Sequence, residues 1–212
     1  MKKFISLSLA CLMLLPCLLL GGCAGRRPKL DDIYDRVVFL VEASYELNVV
    51  FYGEGLPYYD RNLPIYASLY SDYETQQYTR THNVVSSQAK YLSIEEIKYA
   101  AELVYTKELL EQTVYPAAFD GLMVASGGKS EYSPARYIQS NEDLYILNKE
   151  PTYNIKPLVY DYSTMKIINP SNGKSVLISI TVWEEGKPES AYQTQIKLAK
   201  VDGIWYLDKL TV

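Results

Sequence analysis

Val176-Leu177-Ile178-Ser179-Ile180-Thr181-Val182-Trp183 is the stretch on which the fold turns. Its residues at 176, 178, 180 and 182 are all β-branched and alternate with a more mixed set. A period of two places one row on a buried face of a strand and the other on the opposite face. Turn residues bound it on both sides, Asn169-Pro170-Ser171-Asn172-Gly173 before and Glu184-Glu185-Gly186-Lys187 after. Beyond the second turn, Tyr192, Thr194, Ile196 and Leu198 repeat the alternation, and Asp202-Gly203 signals a hairpin into Ile204 and the residues up to Leu210. Upstream, residues 157–168 read as a further strand, and Tyr137-Ile138 and Leu144-Tyr145-Ile146-Leu147 flank the turn Ser140-Asn141-Glu142-Asp143. The carboxyl half is thus expected to be an antiparallel meander.

Toward the amino end the period lengthens. Leu30, Ile33, Tyr34, Val37, Val38, Leu40, Val41, Tyr45 and Leu47 recur at helical spacing, predicting a helix over about residues 31–51 that Gly53-Glu54-Gly55-Leu56-Pro57 stops. The following stretch is polar and rich in tyrosine, with Leu63, Tyr66, Leu69, Tyr70 and Tyr73 spaced as a short helix and Pro64 in its first turn. Ser93-Ile94-Glu95-Glu96 matches a capping box, and Leu92 and Ile97 are spaced as a hydrophobic staple. The second helix carries Ile94, Ile97, Ala101, Val104, Tyr105 and Leu109 on one side and is expected to end at Pro116. Gly121, Gly127 and Gly128 make residues 119–134 read as loop. The fold class that follows is α+β, with amino-terminal helices packed on a curved carboxyl-terminal antiparallel sheet of about four to six strands.

The first residues carry a separate message. Lys2 and Lys3 precede an almost unbroken apolar run that contains Pro16 and ends in small residues, the pattern of a secretory leader. Leu20-Gly21-Gly22-Cys23 resembles the lipobox of bacterial lipoproteins. That resemblance implies cleavage before Cys23 and a thioether lipid on its sulfur. The expected organisation is a leader at 1–22, a lipidated tether at 23–30 and a single domain at 31–212. The domain is then held outside the cytoplasm on a cell membrane or outer membrane. The tether includes Arg26, Arg27 and Lys29, either a solvated linker or a contact with anionic headgroups. Cys11, Cys17 and Cys23 are the chain's cysteines, so once the leader is cut and Cys23 acylated none remains for a disulfide or a thiolate metal site.

An order of helices then a long antiparallel sheet resembles the cone-shaped nuclear transport factor two-like fold, also called SnoaL-like or cystatin-like. The closest local similarity is Lys200-Val201-Asp202-Gly203-Ile204-Trp205-Tyr206-Leu207, akin to the closing hairpin of such domains. The resemblance implies a pocket between helices and sheet, used for catalysis in some members and for binding or assembly in many.

Composition excludes several functions. Loss of Lys2 and Lys3 takes the formal net charge from −4 to −6, which disfavours nucleic acid as a partner. Gly127-Gly128-Lys129-Ser130 fails as a phosphate loop because Met123 stands where a glycine is needed, and the same glycines disfavour the helix that Ser126 and Lys129 require as a nucleophile pair. His82 is the only histidine, and its polar neighbours Arg80, Thr81 and Asn83 suggest exposure. The paired carboxylates Asp31-Asp32, Glu95-Glu96 and Glu184-Glu185 each fall at a helix start or a turn. No catalytic residue, metal ligand or cofactor is nominated. Among 21 tyrosines, Tyr58, Tyr59, Tyr66, Tyr70 and Tyr73 are the candidate binding surface, because their segment lacks a core pattern. The expected function is a non-catalytic lipoprotein that binds a protein partner or small ligand, with a pocket enzyme of the cone fold or a structural subunit of an envelope complex as alternatives.

Overall fold

The computed structural model describes residues 27–63, 65–66, 69, 81–126, 128–148, 154–170 and 173–211. Helix α1 spans Tyr34–Tyr52 after a turn at 31–33, and buries Val37, Leu40, Val41, Leu47, Val50 and Phe51. It stops as expected at Gly53, whose N–H bonds Asn48 O and Val49 O at 3.1 and 3.0 Å. Gly55 has φ +85°, and a Cβ there would collide with Cδ1 of Ile146, so the stop requires glycine on two counts. The last carbonyls of α1 are answered from another part of the chain. Arg136 Nε donates to Val50 O at 2.8 Å and its NH2 to Gly53 O, while Tyr137 OH donates to Val50 O at 2.9 Å. A guanidinium at a helix carboxyl end also meets the negative end of the dipole.

The carboxyl half is the meander the alternation predicts. Strands β6 (Leu158–Pro170), β7 (Ser175–Glu184), β8 (Lys187–Val201) and β9 (Ile204–Leu207) form a four-stranded antiparallel sheet in that order. On β7, Val176, Ile178, Ile180 and Val182 are buried and the intervening residues are not. Asp202 and Gly203 have φ 49° and 87°, the left-handed pair that a two-residue hairpin needs. Register shifts between Asp161 and Lys166, between Ile167 and Asn169 and between Val182 and Glu184 interrupt the ladder, and such bulges bend a sheet. Arg36 ties the start of α1 to this sheet, with Nε donating to Trp205 O at 2.8 Å and NH2 to Leu103 O at 2.9 Å.

Between α1 and the meander lie β1 (His82–Val84), helix α2 (Ile94–Glu102), a one-turn helix α3 (Lys107–Leu109), and four short strands, β2 (Leu122–Ser126), β3 (Lys129–Ser133), β4 (Tyr137–Ser140) and β5 (Asp143–Leu147). β1, β5 and β4 make a second antiparallel sheet, with β5 central, and β2 and β3 pair as a hairpin. The Ser93 half of the capping box forms, Glu96 N donating to Ser93 Oγ at 3.1 Å, while the Glu96 carboxylate accepts from Leu92 N, one residue before the cap, at 2.6 Å.

Several expectations are corrected. α2 ends at Glu102 because Tyr105 leaves the helix to bridge Leu207, and Thr106 caps α3 instead. Pro116 does not end the helical run. α3 continues through wider π-type turns at Leu110–Val114 and Pro116–Asp120, with Pro116 at the junction of the two. Residues 122–133 form a hairpin and not a loop, with Met123 and Tyr132 paired and both exposed, so no buried face marks them. β1 has three buried residues, too few to show a period.

Ile178→Ala is expected to lower the unfolding free energy by about 2–5 kcal/mol, the cost of a core cavity. Tyr99→Ala, at a residue 68% exposed, is expected to stay within about 0.5 kcal/mol. Urea unfolding followed by circular dichroism checks both.

Candidate ligand-binding cleft

The cavity that these elements leave opens between the carboxyl half of α1 and one end of the four-stranded sheet. Its volume is about 440 Å³, within the range of small-molecule sites. Tyr45 and Asn48 come from α1, Leu158 and Tyr160 from β6, Glu184 from β7, Tyr192 from β8, and Thr211 from beyond β9.

The sheet wall follows from register. Tyr160 pairs with Val182, which pairs with Tyr192, so the three form one row across β6, β7 and β8. Side chains in such a row share a face, here the helix-facing one, since Val182 is fully buried. Tyr160 and Tyr162, two apart on β6, stack with ring centroids 6.3 Å apart. Burial pushes both hydroxyls up to about 12, so they are neutral hydrogen-bonding groups at any physiological pH.

The floor is polar and internally satisfied. Ser44 and Asn48 lie one turn apart on the buried face of α1. Tyr105 OH donates to Asn48 Oδ1 at 2.8 Å, and Asn48 Nδ2 donates to Thr211 Oγ1 at 2.8 Å. Ser44 Oγ donates to Val41 O at 2.7 Å, which leaves Thr211 Oγ1 to donate to Ser44 Oγ across 2.8 Å. Burial pushes the Tyr105 hydroxyl well above its ordinary value, which keeps it protonated as the donor at the end of this chain. The network pins the chain's last described residue to the middle of α1 and holds Asn48 and Thr211 in fixed positions at the cleft base.

The rim is charged. Glu184 accepts from Lys156 Nζ at 2.8 Å and from Lys187 Nζ at 3.0 Å. Those two ammonium groups, Lys156 first, hold its carboxyl below the usual range. It is an ionised, paired carboxylate and not a proton donor at neutral pH.

The tyrosines nominated from sequence are partly brought together elsewhere. Tyr59 and Tyr66 face each other with ring centroids 4.5 Å apart, and Tyr59 OH lies 2.7 Å from Ser87 Oγ and accepts from Ser87 N at 3.0 Å. Tyr58 makes a backbone bridge to Val85 and is 48% exposed. Tyr70 and Tyr73 lie outside the described residues, as do Leu20, Gly21, Gly22 and Cys23. The cleft tyrosines Tyr45, Tyr160 and Tyr192 were not nominated, yet Ser44 and Asn48, two polar residues on an otherwise apolar helix face, were a legible sign of a built polar floor.

His82 is corrected outright. It is buried on β1, 4% exposed, with Nδ1 2.8 Å from Thr81 Oγ1 and Nε2 3.0 Å from Ala135 O. Asn83 beside it is buried as well, and Thr81 turns its hydroxyl onto the ring, so polar neighbours in sequence did not mark an exposed site. Burial lowers its pKa, with the Ala135 carbonyl opposing. Among the described residues no group of three histidines, cysteines or carboxylates converges as a metal site, and no helix is long and apolar enough to cross a membrane. No protein family, curated protein or solved structure matches this chain.

Two outcomes are expected. Asn48→Ala and Tyr105→Phe each cost about 1–3 kcal/mol by stranding a buried partner, and the double variant costs less than their sum by about 0.5–3 kcal/mol. A double-mutant cycle in urea checks this. The neutral His82 imidazole is favoured by folding, so its stabilising contribution is complete above its unfolded pKa of about 6.5 and is lost as pH falls through the lowered folded value. Thermal melts between about pH 7 and 5 are expected to fall more steeply for the native chain than for His82→Gln.

Proposed function

We propose that this chain is a lipid-anchored extracytoplasmic protein, acylated at Cys23, whose domain binds a ligand non-catalytically in the tyrosine-walled cleft. The observation that carries the binding reading is the cleft's construction. Aromatic walls from Tyr45, Tyr160 and Tyr192 surround a neutral floor of Asn48 and Thr211 whose own hydrogen bonds already hold it rigid. Such a site suits a molecule with an apolar face and a few hydroxyl or amide groups, either a small ligand or the projecting part of a protein partner. Stiff tyrosines lose little entropy on contact, and a prearranged floor removes much of the ordering cost of binding.

A binding role also accords with the state of the charged groups. The carboxylate at the rim is committed to two lysines, and the histidine sits in the β1–β5–β4 sheet against Ala135 O. A pocket enzyme of the cone fold calls for an acid or base free to exchange a proton with the substrate. The anchoring reading rests on the apolar leader and on Leu20-Gly21-Gly22-Cys23. The cone-shaped nuclear transport factor two-like architecture belongs to the same proposal. Its support is the bulged four-stranded meander at the carboxyl end, with a cavity between it and α1.

The binding test is an NMR titration of the mature protein with three panels: neutral saccharides, short peptides and acyl-chain amphiphiles. At least one panel is expected to shift Tyr45, Asn48, Tyr160 and Tyr192, and Tyr160→Ala is expected to weaken that binding about tenfold or more. Shifts confined to residues remote from the cleft contradict the reading. For the anchor, intact mass of native material is expected to show a chain beginning at an acylated Cys23, and Cys23→Ser is expected to abolish acylation.

A further inference from the structure

We infer that the end of the domain opposite the cleft is a membrane-docking face for an anionic lipid bilayer, formed by the β8–β9 hairpin tip and the basic residues around the tether. The inference rests on the proposed acylation of Cys23 for its geometry, and on described residues for its chemistry.

Strand direction places the two ends. β7 runs from Ser175 to Glu184, roughly 30 Å at the usual strand rise. Tyr160, Glu184 and Tyr192 are all at its Glu184 end, where the cleft opens. At the Ser175 end, Ser175 pairs with Ala199 and Val201 pairs with Ile204, so the β8–β9 tip lies beside the turn between β6 and β7. The amino-terminal segment arrives there too. Arg27, Pro28, Asp32 and Ile33 line one small hollow with Gly173, Lys200 and Trp205. Arg27 is four residues from Cys23, a reach of at most about 14 Å. A lipid on Cys23 therefore holds this end at the bilayer and leaves the cleft directed away from it.

The chemistry of this end fits a bilayer surface. Val201 and Ile204 form a cross-strand pair at the tip and are 47% and 50% exposed. Ile168, near the end of β6, is also exposed. Lys200 holds its ammonium 5.5 Å from the centre of the Trp205 ring, and its backbone N–H bonds Lys174 O at 2.7 Å, bringing two lysines together. Arg27, Lys29, Lys174 and Lys200 are exposed here, against the carboxylates Asp31, Asp32 and Asp202. Asp32 already accepts from Lys29 N at 3.3 Å. An apolar tip flanked by cations is the arrangement that lets a loop enter the headgroup region while phosphates meet the ammonium groups.

The test uses the mature acylated protein in nanodiscs, carrying a polarity-sensitive fluorophore on Ile204→Cys or, as the cleft-end control, on Glu185→Cys. In phosphatidylglycerol–phosphatidylcholine discs the label at 204 is expected to shift to the blue and to be quenched by nitroxide lipid, while the label at 185 shows neither. Lys174→Glu combined with Lys200→Glu is expected to remove the difference between anionic and pure phosphatidylcholine discs. An acylated protein whose label at 204 stays as water-exposed as that at 185 overturns the docking face. If mass analysis finds Cys23 unmodified, the anchoring reading fails by itself. The same labelled chain is then sedimented with phosphatidylglycerol vesicles, where absence of both binding and quenching overturns the docking face as well.

Discussion

One shared core holds the molecule together, in which the alternate face of β7 and the apolar side of α1 are both buried. Val176, Ile178, Ile180 and Val182 have no stable alternative to that burial in water, and each β-branched side chain contributes on the order of 1.5–3 kcal/mol when fully buried. A helix of 19 residues spans roughly 28 Å, close to the length of a ten-residue strand, and it runs from Trp205, which Arg36 reaches, to the cleft, which Tyr45 and Asn48 line. Everything else is arranged to keep that helix in place. Arg36 ties its first turn to Trp205 and Leu103, and its last carbonyls are answered by Tyr137, the first residue of β4, and by Arg136 just before it.

The cleft is a consequence of where this packing stops. The row Tyr160–Val182–Tyr192 flanks the buried Val182 with larger, partly polar side chains, and these meet Tyr45 and Asn48 of α1 across the cleft. Leaving polar groups on the buried face of a helix is costly unless each finds a partner. Ser44, Asn48, Tyr105 and Thr211 satisfy one another, so the floor is stable without a ligand. A preformed site of this kind and a core that packs around it are two results of the same helix–sheet contact.

How far the sequence revealed this varies with the kind of signal. The β7 alternation, the Ser93 capping box, the helix stop at Gly53 and the Asp202-Gly203 hairpin were legible because each is a local pattern with one physical meaning. Tertiary demands were not. Tyr105 looks like the next residue of an amphipathic helix, but its bridge to Leu207 breaks α2. His82 looks exposed from its neighbours because a three-residue strand is too short to display alternation. The cleft row was hidden by the bulge between Val182 and Glu184. Counting back from the Glu184–Lys187 turn pairs Val182 with Glu189, whereas the observed partner is Tyr192. The tyrosines that were nominated, Tyr59 and Tyr66 among them, do meet, but in a separate exposed cluster.

α1 and the meander, sharing one core, are expected to unfold as a single cooperative unit on which the cleft is built. Native-state amide hydrogen exchange of the purified protein distinguishes this from independent opening of the helix. The amides from Val37 to Phe51 of α1 and those of the buried positions of β7 are expected to exchange slowly together, with the same free energy as global unfolding. Fast exchange of α1 while β7 stays protected would show that the helix opens independently, and would contradict it.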